Sequence, residues 1–573
     1  MKKQTKLVAV LSTAALLAIG ASMTSFAATG WAEEDGTWVY YDRNGDKVTD
    51  KWAKSGNNWY YLDSNGEMAV DQLIEDGDNY YYVDINGVMA ANQWVAIDNE
   101  DAGQDDEPEH YWYYFQANGK ALKQGDSDKV SLKTVNGKKY AFDDEGKMLY
   151  GWVDENSAER IDNTDGDAFK EATYYFGGED DGAMTTGWLL TDVTYNEATN
   201  DDYKYTAAAF NDDEDQTRWF YFKSNGKMIK ADNGERTKDK TINGKKYAFD
   251  EYGAMVAEWS LDEGDEKIAS KSEERAKASV DVASTSEAWN GKGNYAKYTQ
   301  AWRYFNSVED GSRVSKGWFK VVAAEMLNKD KYDDDEDAWY YADGSGKLYA
   351  GEFKTIKGKK YAFRKDGRMV DGLKFINDDF DVVKADNDDM PFDTEDDFLQ
   401  YAPEWVDKDY KLYYFGDSSD GAMKTGKTNI NLDGDSFNFY LEKSGSTKGA
   451  GYNGEKDSKL YLAGMMLKAG SDDKYQVAKK LDTGVWTKID GAEKFAEESI
   501  VDQLDVTQDN LDELGINKKA KDIKELYKVA ESNNYKLINT SGKIVDKSGK
   551  SKDGNDFVYV TKGENIVAIY VEK

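Results

Sequence analysis

The 573-residue chain contains no cysteine, so no disulfide staples it and no thiol is present to act as nucleophile or soft metal ligand. It has one histidine, His110, so a serine–histidine pair would have to use that residue. His110 lies between an acidic stretch and the aromatic run YWYYF, a place that suits a loop or strand edge better than a catalytic base. The GxGxxG, Walker A, HExxH and CxxC patterns are all missing, and no catalytic residue, metal ligand or cofactor is assigned. Basic residues are also scarce. The 74 Lys and Arg face 110 Asp and Glu, giving a formal charge of −36 that makes nucleic acid and anionic lipid poor partners. Long apolar runs are absent except for Leu7 to Ile19, which follows Lys2, Lys3 and Lys6 and precedes Ser25-Phe26-Ala27. That arrangement reads as a signal peptide over residues 1–27, too short to span a bilayer, so the expectation is a secreted chain with no membrane span.

What the chain has in abundance is aromatic side chains, with 40 Tyr, 22 Phe and 16 Trp. They recur. TWVYYDRNGDKV, NWYYLDSNGEMA and NYYYVDINGVMA follow one another, with Tyr41, Tyr61 and Tyr82 spaced 20 and 21 residues apart. Each reads as a β-hairpin: an aromatic strand, an Asn-Gly turn (Asn44-Gly45, Asn65-Gly66, Asn86-Gly87), then a short return strand. A lone hairpin is marginal in water, so the units must stack and bury their aromatic faces on one another. In NWYYL the alternation of a strand puts Tyr60 into the core and Trp59 on the opposite face.

Beyond residue 110 three hairpin types recur in a fixed order. They begin at Tyr111, Arg218 and Ala338; at Thr134, Thr241 and Thr355, as TVNGKKYAF and its variants; and at Thr173, Trp302 and Leu412. A degraded fourth copy reads FNFYLEKSG, KLYLAGMML and YKLINTSGKIV. Acidic inserts such as Asp98 to Glu109, Asn211 to Gln216 and Asp333 to Asp337 separate the hairpins and read most simply as solvated loops. Residues 493–533 have helical spacing, with Ile523, Leu526, Tyr527 and Ala530 on one face. The expected fold is therefore all-β, a solenoid of tandem hairpins with acidic loop inserts and a short helical insert near the C-terminus. Its divisions are a signal peptide (1–27), 20–21-residue hairpin repeats (28–122), three-hairpin super-repeats (123–470), and degenerate repeats with the insert (471–573). The widest gap between recognisable hairpins, residues 468–534, is too short for an ordinary catalytic domain.

Aromatic surface outside a core can enclose a quaternary ammonium or stack on sugar faces, and many weak sites on one chain give avidity for a polymer. The pattern GW…G-x-WYY…NG-x-M, with Trp31, Trp52, Trp94, Trp152, Trp188 and Trp318, resembles the cell-wall-binding repeat family. This family includes choline-binding modules of Gram-positive surface proteins and is similar to the glucan-binding repeats of secreted glucosyltransferases. The resemblance implies aromatic cages between successive hairpins, one from Trp31, Trp38 and Tyr61 and another from Trp52, Trp59 and Tyr82 with Met68. The third hairpin has Leu73 and Tyr80 at the Trp positions, and the KYAF hairpins lack that Trp, so the cages are expected to concentrate near the N-terminus. The implied protein is a secreted, non-catalytic component of the wall or surface of a Gram-positive bacterium. Its partner would be a wall polymer: choline on teichoic acid, peptidoglycan or a glucan. The alternative is a structural or adhesive surface protein whose repeats serve as a spacer, with a wall-active hydrolase third. The sequence leaves the oligomeric state open.

Overall fold

The computed structural model describes residues 29–104, 106–194, 215–231, 237–261, 294–324 and 327–573. The expected signal peptide and most of the insert at 211–216 lie outside them. Two units emerge: Met1–Thr194 with Asp215–Ile229, and Tyr195–Glu214 with Lys230–Lys573.

The first unit is a series of two-stranded antiparallel hairpins, beginning with Gly30–Glu34 on Thr37–Tyr41, Lys51–Ser55 on Asn58–Leu62, and Gln72–Asp76 on Asn79–Val83. Gln93–Asp98 on His110–Phe115 and Gly187–Thr194 on Asp215–Phe222 are longer members. The tight reversals are not the Asn-Gly pairs expected from the sequence. They are Asp35-Gly36, Gly56-Asn57 and Gly77-Asp78, two-residue turns whose positive φ at Asp35, Gly36, Gly56 and Gly77 matches strand twist. The Asn-Gly pairs make a second, wider reversal. In Asp63 to Glu67, Gly66 N–H bonds to Asp63 O (2.9 Å) and Asp63 N–H to Glu67 O (2.8 Å), while the Asp63 carboxylate accepts from the N–H groups of Asn65 and Glu67. The return segment forms a single bridge, Leu62 to Met68. It then reaches the preceding hairpin: Met68 N–H bonds to Trp38 O at 2.7 Å, Met89 to Trp59 O at 2.9 Å, and Met148 to Trp112 O at 2.7 Å. These rungs tie each repeat to its neighbour.

The second unit opens in the same manner. Lys240–Ile242 pairs with Lys245–Tyr247, Glu258–Leu261 with Trp302–Phe305, Gly317–Val321 with Ala338–Ala342, and Glu352–Ile356 with Lys359–Phe363. From Leu373 onward the strands merge into larger sheets. Gly426–Leu432, Asp435–Leu441, Met465–Met466, Lys459–Leu462 and Gly454–Lys456 form one five-stranded sheet; Val501–Leu504, Ile523–Val529, Asn565–Glu572, Phe557–Lys562 and Gly549–Lys552 form another. The degraded fourth copy is thus built into sheets rather than free hairpins, although Asn539 still accepts from Ser541 and Lys543 N–H as the turn aspartates do.

The expected helical insert at 493–533 is only partly helical. Gly491–Ala496 and Gln508–Glu513 are short helices, whereas Ile523–Val529 is a strand. Both faces of that strand are covered. Ile523 and Leu526 pack with Val558 and Tyr570, Tyr527 and Val529 with Tyr559 and Ile569, and a bulge falls between Ile523 and Glu525. A two-sided, bulged strand loses its period of two, and the remaining spacing imitates a helix. The helix Glu395–Asp407, capped by the Thr394 side chain, was not foreseen; it seats Phe398, Ala402 and Trp405 in the core of the second unit.

Candidate functional site: the aromatic face of the hairpins

Strand register decides which rings share a face. In the second hairpin Trp52 lies across from Tyr61 and Lys54 across from Trp59, so these four side chains project together, while Ala53, Tyr60 and Leu62 face the core. Tyr60 is 7% exposed and Trp59 40%. The corresponding residues are Trp31, Glu33, Trp38 and Tyr40 in the first hairpin, and Leu73, Glu75, Tyr80 and Tyr82 in the third. The counterpart of Tyr61 in the first hairpin is therefore Tyr40, not Tyr41.

The first-strand indole has a constant setting. Trp31 meets Tyr40 of its own hairpin and Tyr60 of the next, each at 5.2 Å between centroids. Trp52 meets Tyr61 at 5.2 Å and Tyr81 at 5.0 Å, and its Nε1 donates to Asp76 of the next hairpin at 3.1 Å. Trp94 does the same with Tyr114 and Tyr140, and in the second unit Trp318 with Tyr341 and Tyr361. These edge-to-face contacts are worth about 0.5–1.5 kcal/mol each beyond area burial. Trp31 and Trp52 thus join hairpins as well as form surface. Met68, set beside the ligand in the sequence reading, is committed to packing: a Cβ on Gly87 would come within 2.9 Å of its sulfur.

The expected trios are only partly assembled. Among the described residues no ring contact joins Trp31 to Trp38, or Trp59 to Trp52 or Tyr82. Tyr82 stacks instead on Phe115 at 6.1 Å, and its hydroxyl donates to Asp71, with burial and then that bond pushing its pKa up. Indoles meet at right angles at positions the sequence reading did not select. Trp188 and Trp219 stand 5.9 Å apart at 84°, with Tyr221 5.0 Å from Trp188; in the second unit Trp318 and Trp339 stand 6.3 Å apart at 88°. Half-exposed Trp94, Trp112 and Tyr114 occupy the same face of the fourth hairpin, with Trp112 Nε1 donating to Asp180 at 3.2 Å and His110 Nε2 3.1 Å from the same carboxylate. The signal that could have found all of these is strand register, which requires the first strand to be read together with a second that lies beyond a long insert.

Charge around the faces differs. Glu33 lies opposite Trp38, whereas the Lys54 ammonium sits 5.6 Å from the Trp59 ring centroid. Elsewhere the rings are plainly core. Trp302 is 1% exposed in a cluster with Tyr295 and Tyr298 of the helix Asn294–Ala301 and with Trp259, which is 4% exposed. The acidic insert expected to be a solvated loop is anchored as well: Asp106 pairs with Arg160 and accepts from Asn163 N–H at 2.8 Å, and Asn99 donates to Pro108 O at 2.9 Å. No helix among the described residues is long and apolar enough to cross a membrane.

Residues 28–72 and 48–94 match the choline-binding repeat, and residues 215–228 the putative cell wall binding repeat. Glucosyltransferase-S of Streptococcus mutans serotype c is 24% identical over 300 residues, covering 46% of this chain and 16% of the transferase. The autolysin LytC of Streptococcus pneumoniae, solved with a synthetic peptidoglycan ligand, is 18% identical with a TM-score of 0.29, covering 61% of this chain and 55% of that one. The choline-binding domain of CbpL from the same species is 23% identical with a TM-score of 0.24, covering 41% and 90%. The chain thus spans about a sixth of the transferase and about half of the autolysin. Residues 28–94 and 215–228 carry repeats of the choline-binding and cell-wall-binding type, and the hairpins there have the register such repeats share.

Proposed function

We propose that the protein is a secreted, non-catalytic surface protein that holds a cell-wall polymer non-covalently through the aromatic faces of its hairpins. The observation that carries this reading is the recurrence of two indoles and a tyrosine on one face of the first, second and fourth hairpins, the first two lying within residues 28–94, which match the choline-binding repeat. Such faces attract quaternary ammonium groups by about 0.5–2 kcal/mol per ring and stack on sugars, and repetition multiplies weak contacts into avidity. The ligand-bearing residues are Trp31, Trp38, Trp52, Trp59, Tyr61 and Tyr82, with Met68 acting from behind through the turn. Binding resides in residues 28–122 and 123–470, and 471–573 serves as a terminal module.

Titration of the chain with choline and separately with soluble glucan, followed by tryptophan emission, tests the ligand class. Saturable change with one and none with the other assigns it; no change with either ligand removes the cages from the account. The spacer reading has its own support in Trp152, Trp259 and Trp302, which are at most 4% exposed. It predicts that acrylamide quenches few of the tryptophans between residues 31 and 94, whereas binding faces predict ready quenching there.

A further inference from the structure

In the second unit, a turn that begins with aspartate in most of its sisters, and with Gln116 and Lys223 in two of them, begins with arginine. Arg364 to Arg368 repeats the geometry of Asp343 to Lys347: Arg364 N–H bonds to Arg368 O at 2.8 Å and Gly367 N–H to Arg364 O at 2.9 Å. In the aspartate version the carboxylate caps the turn, as Asp343 does for Ser345 and Lys347. Arg364 cannot do so, and Asp366 caps Arg368 N–H instead, at 3.1 Å. The guanidinium is released to face a pocket of about 360 Å³, shared with Arg368, Lys365, Lys331, Asn328 and Tyr295.

The hydrogen-bond inventory there is unbalanced. An arginine carries five N–H donors. Arg364 spends one, a long 3.4 Å contact from Nη1 to Val382 O, and among the described residues no carboxylate comes within ion-pair distance of it. Arg368 donates from Nε to Asp366 at 2.6 Å, and its Nη atoms have no partner among the described residues. Two of the pocket's three carboxylates are occupied. Asp366, 4% exposed, also accepts from Asn328 at 2.6 Å; Asp381 pairs with Lys365 at 2.5 Å; Asp330 completes the acidic lining. Lys331 is held by Asp334 at 2.6 Å and Glu336 at 3.1 Å. Burial lowers the pKa of Arg364, and the neighbouring charge of Arg368 lowers it further. Two guanidiniums with spare N–H groups side by side suit an acceptor with several oxygens and more than one negative charge.

We propose that this pocket is a binding site for a phosphate group, free or esterified, held by Arg364 and Arg368. It is independent of the aromatic faces. The chain's overall charge of −36 repels anions, so saturable phosphate binding here has to come from a local site.

The test is a ³¹P NMR titration of inorganic phosphate and of glycerol 1-phosphate against the full chain at fixed ionic strength, with acetate as competitor. Arg364→Asp restores the aspartate of the sister turns and is expected to fold; Arg364→Gln keeps the length and removes the charge. Saturable binding by the wild type, at least tenfold weaker in both variants and displaced by acetate only at tenfold or higher concentration, is the expected result. Tighter binding of glycerol 1-phosphate than of inorganic phosphate would assign the site to an ester, and equal binding to the phosphate group itself. Absence of saturable binding, unchanged binding in folded Arg364→Asp, or acetate competing equally would each overturn the proposal.

Discussion

At the scale of single residues, two carboxylates that cap turns are held at a cost. Asp250 accepts from the N–H groups of Tyr252 and Ala254, yet burial pushes its pKa from the ordinary 3.8 to about 7; Asp143 is pushed to about 6 for the same reason. A pKa raised by folding means that the folded state holds the proton more tightly. The associated stability is fully present below pH 4 and is lost as pH rises through 7. Asn539 shows that an amide oxygen can cap the same turn. Asp250→Asn should therefore raise the melting temperature at pH 8, with the gain shrinking as the pH falls to 4; a gain independent of pH in paired thermal melts would contradict this. Lys54 offers a second residue-level test. Its ammonium occupies the ring a ligand cation would use, so Lys54→Ala should strengthen choline binding two- to fivefold, about 0.5–1 kcal/mol. Glu33→Lys should weaken it, and tryptophan-monitored titrations that reverse this order would remove cation recognition from these faces.

At the scale of the element, the glycine of the wider reversal is fixed twice where the preceding repeat packs on it, as at Gly66, Gly87 and Gly119. Gly87 has φ +74°, and the Met68 side chain lies where its Cβ would go. Gly87→Ala should cost about 2–4 kcal/mol, combining left-handed strain with overpacking. Adding Met68→Ala should recover only the packing part in chemical denaturation; full recovery would mean that the backbone conformation is irrelevant. Trp52 and Trp59 separate in the same way. Trp52→Ala removes a ring wedged between Tyr61 and Tyr81 and should cost about 2 kcal/mol or more, whereas exposed Trp59→Ala should leave stability nearly unchanged. The repeat and the inward side of its strands were legible, because aromatic alternation and glycine spacing survive in the sequence; Tyr60 and Trp59 fell on opposite faces as read. The pairing was less so. Gly56-Asn57 and Asn65-Gly66 both carry turn residues, and only register across the first shows that Trp52 opposes Tyr61. Which rings of the expected trios touch was hidden for that reason, and Trp188 with Trp219 is not legible because its partner strand lies beyond a long insert.

At the scale of the molecule, the repeats differ in what they can offer a polymer. The early hairpins present half-exposed Trp31, Trp38, Trp52, Trp59, Trp94 and Trp112, while Trp152, Trp259 and Trp302 are core and the strands after Leu373 merge into sheets. That merger was not legible in the sequence, since FNFYLEKSG and KLYLAGMML keep the local pattern of a hairpin while long-range pairing, Phe439 with Met465, joins them. The most direct test of the central claim is co-sedimentation of the chain with purified Gram-positive walls, comparing the wild type with Trp38→Ala/Trp59→Ala and with Trp219→Ala/Trp339→Ala, each shown to be folded. The account predicts that the wild type pellets with walls and that both double variants bind measurably less, because both remove rings from accessible faces. A wild-type chain that stays wholly in the supernatant across salt and pH, or folded double variants that pellet as well as the wild type, would contradict it.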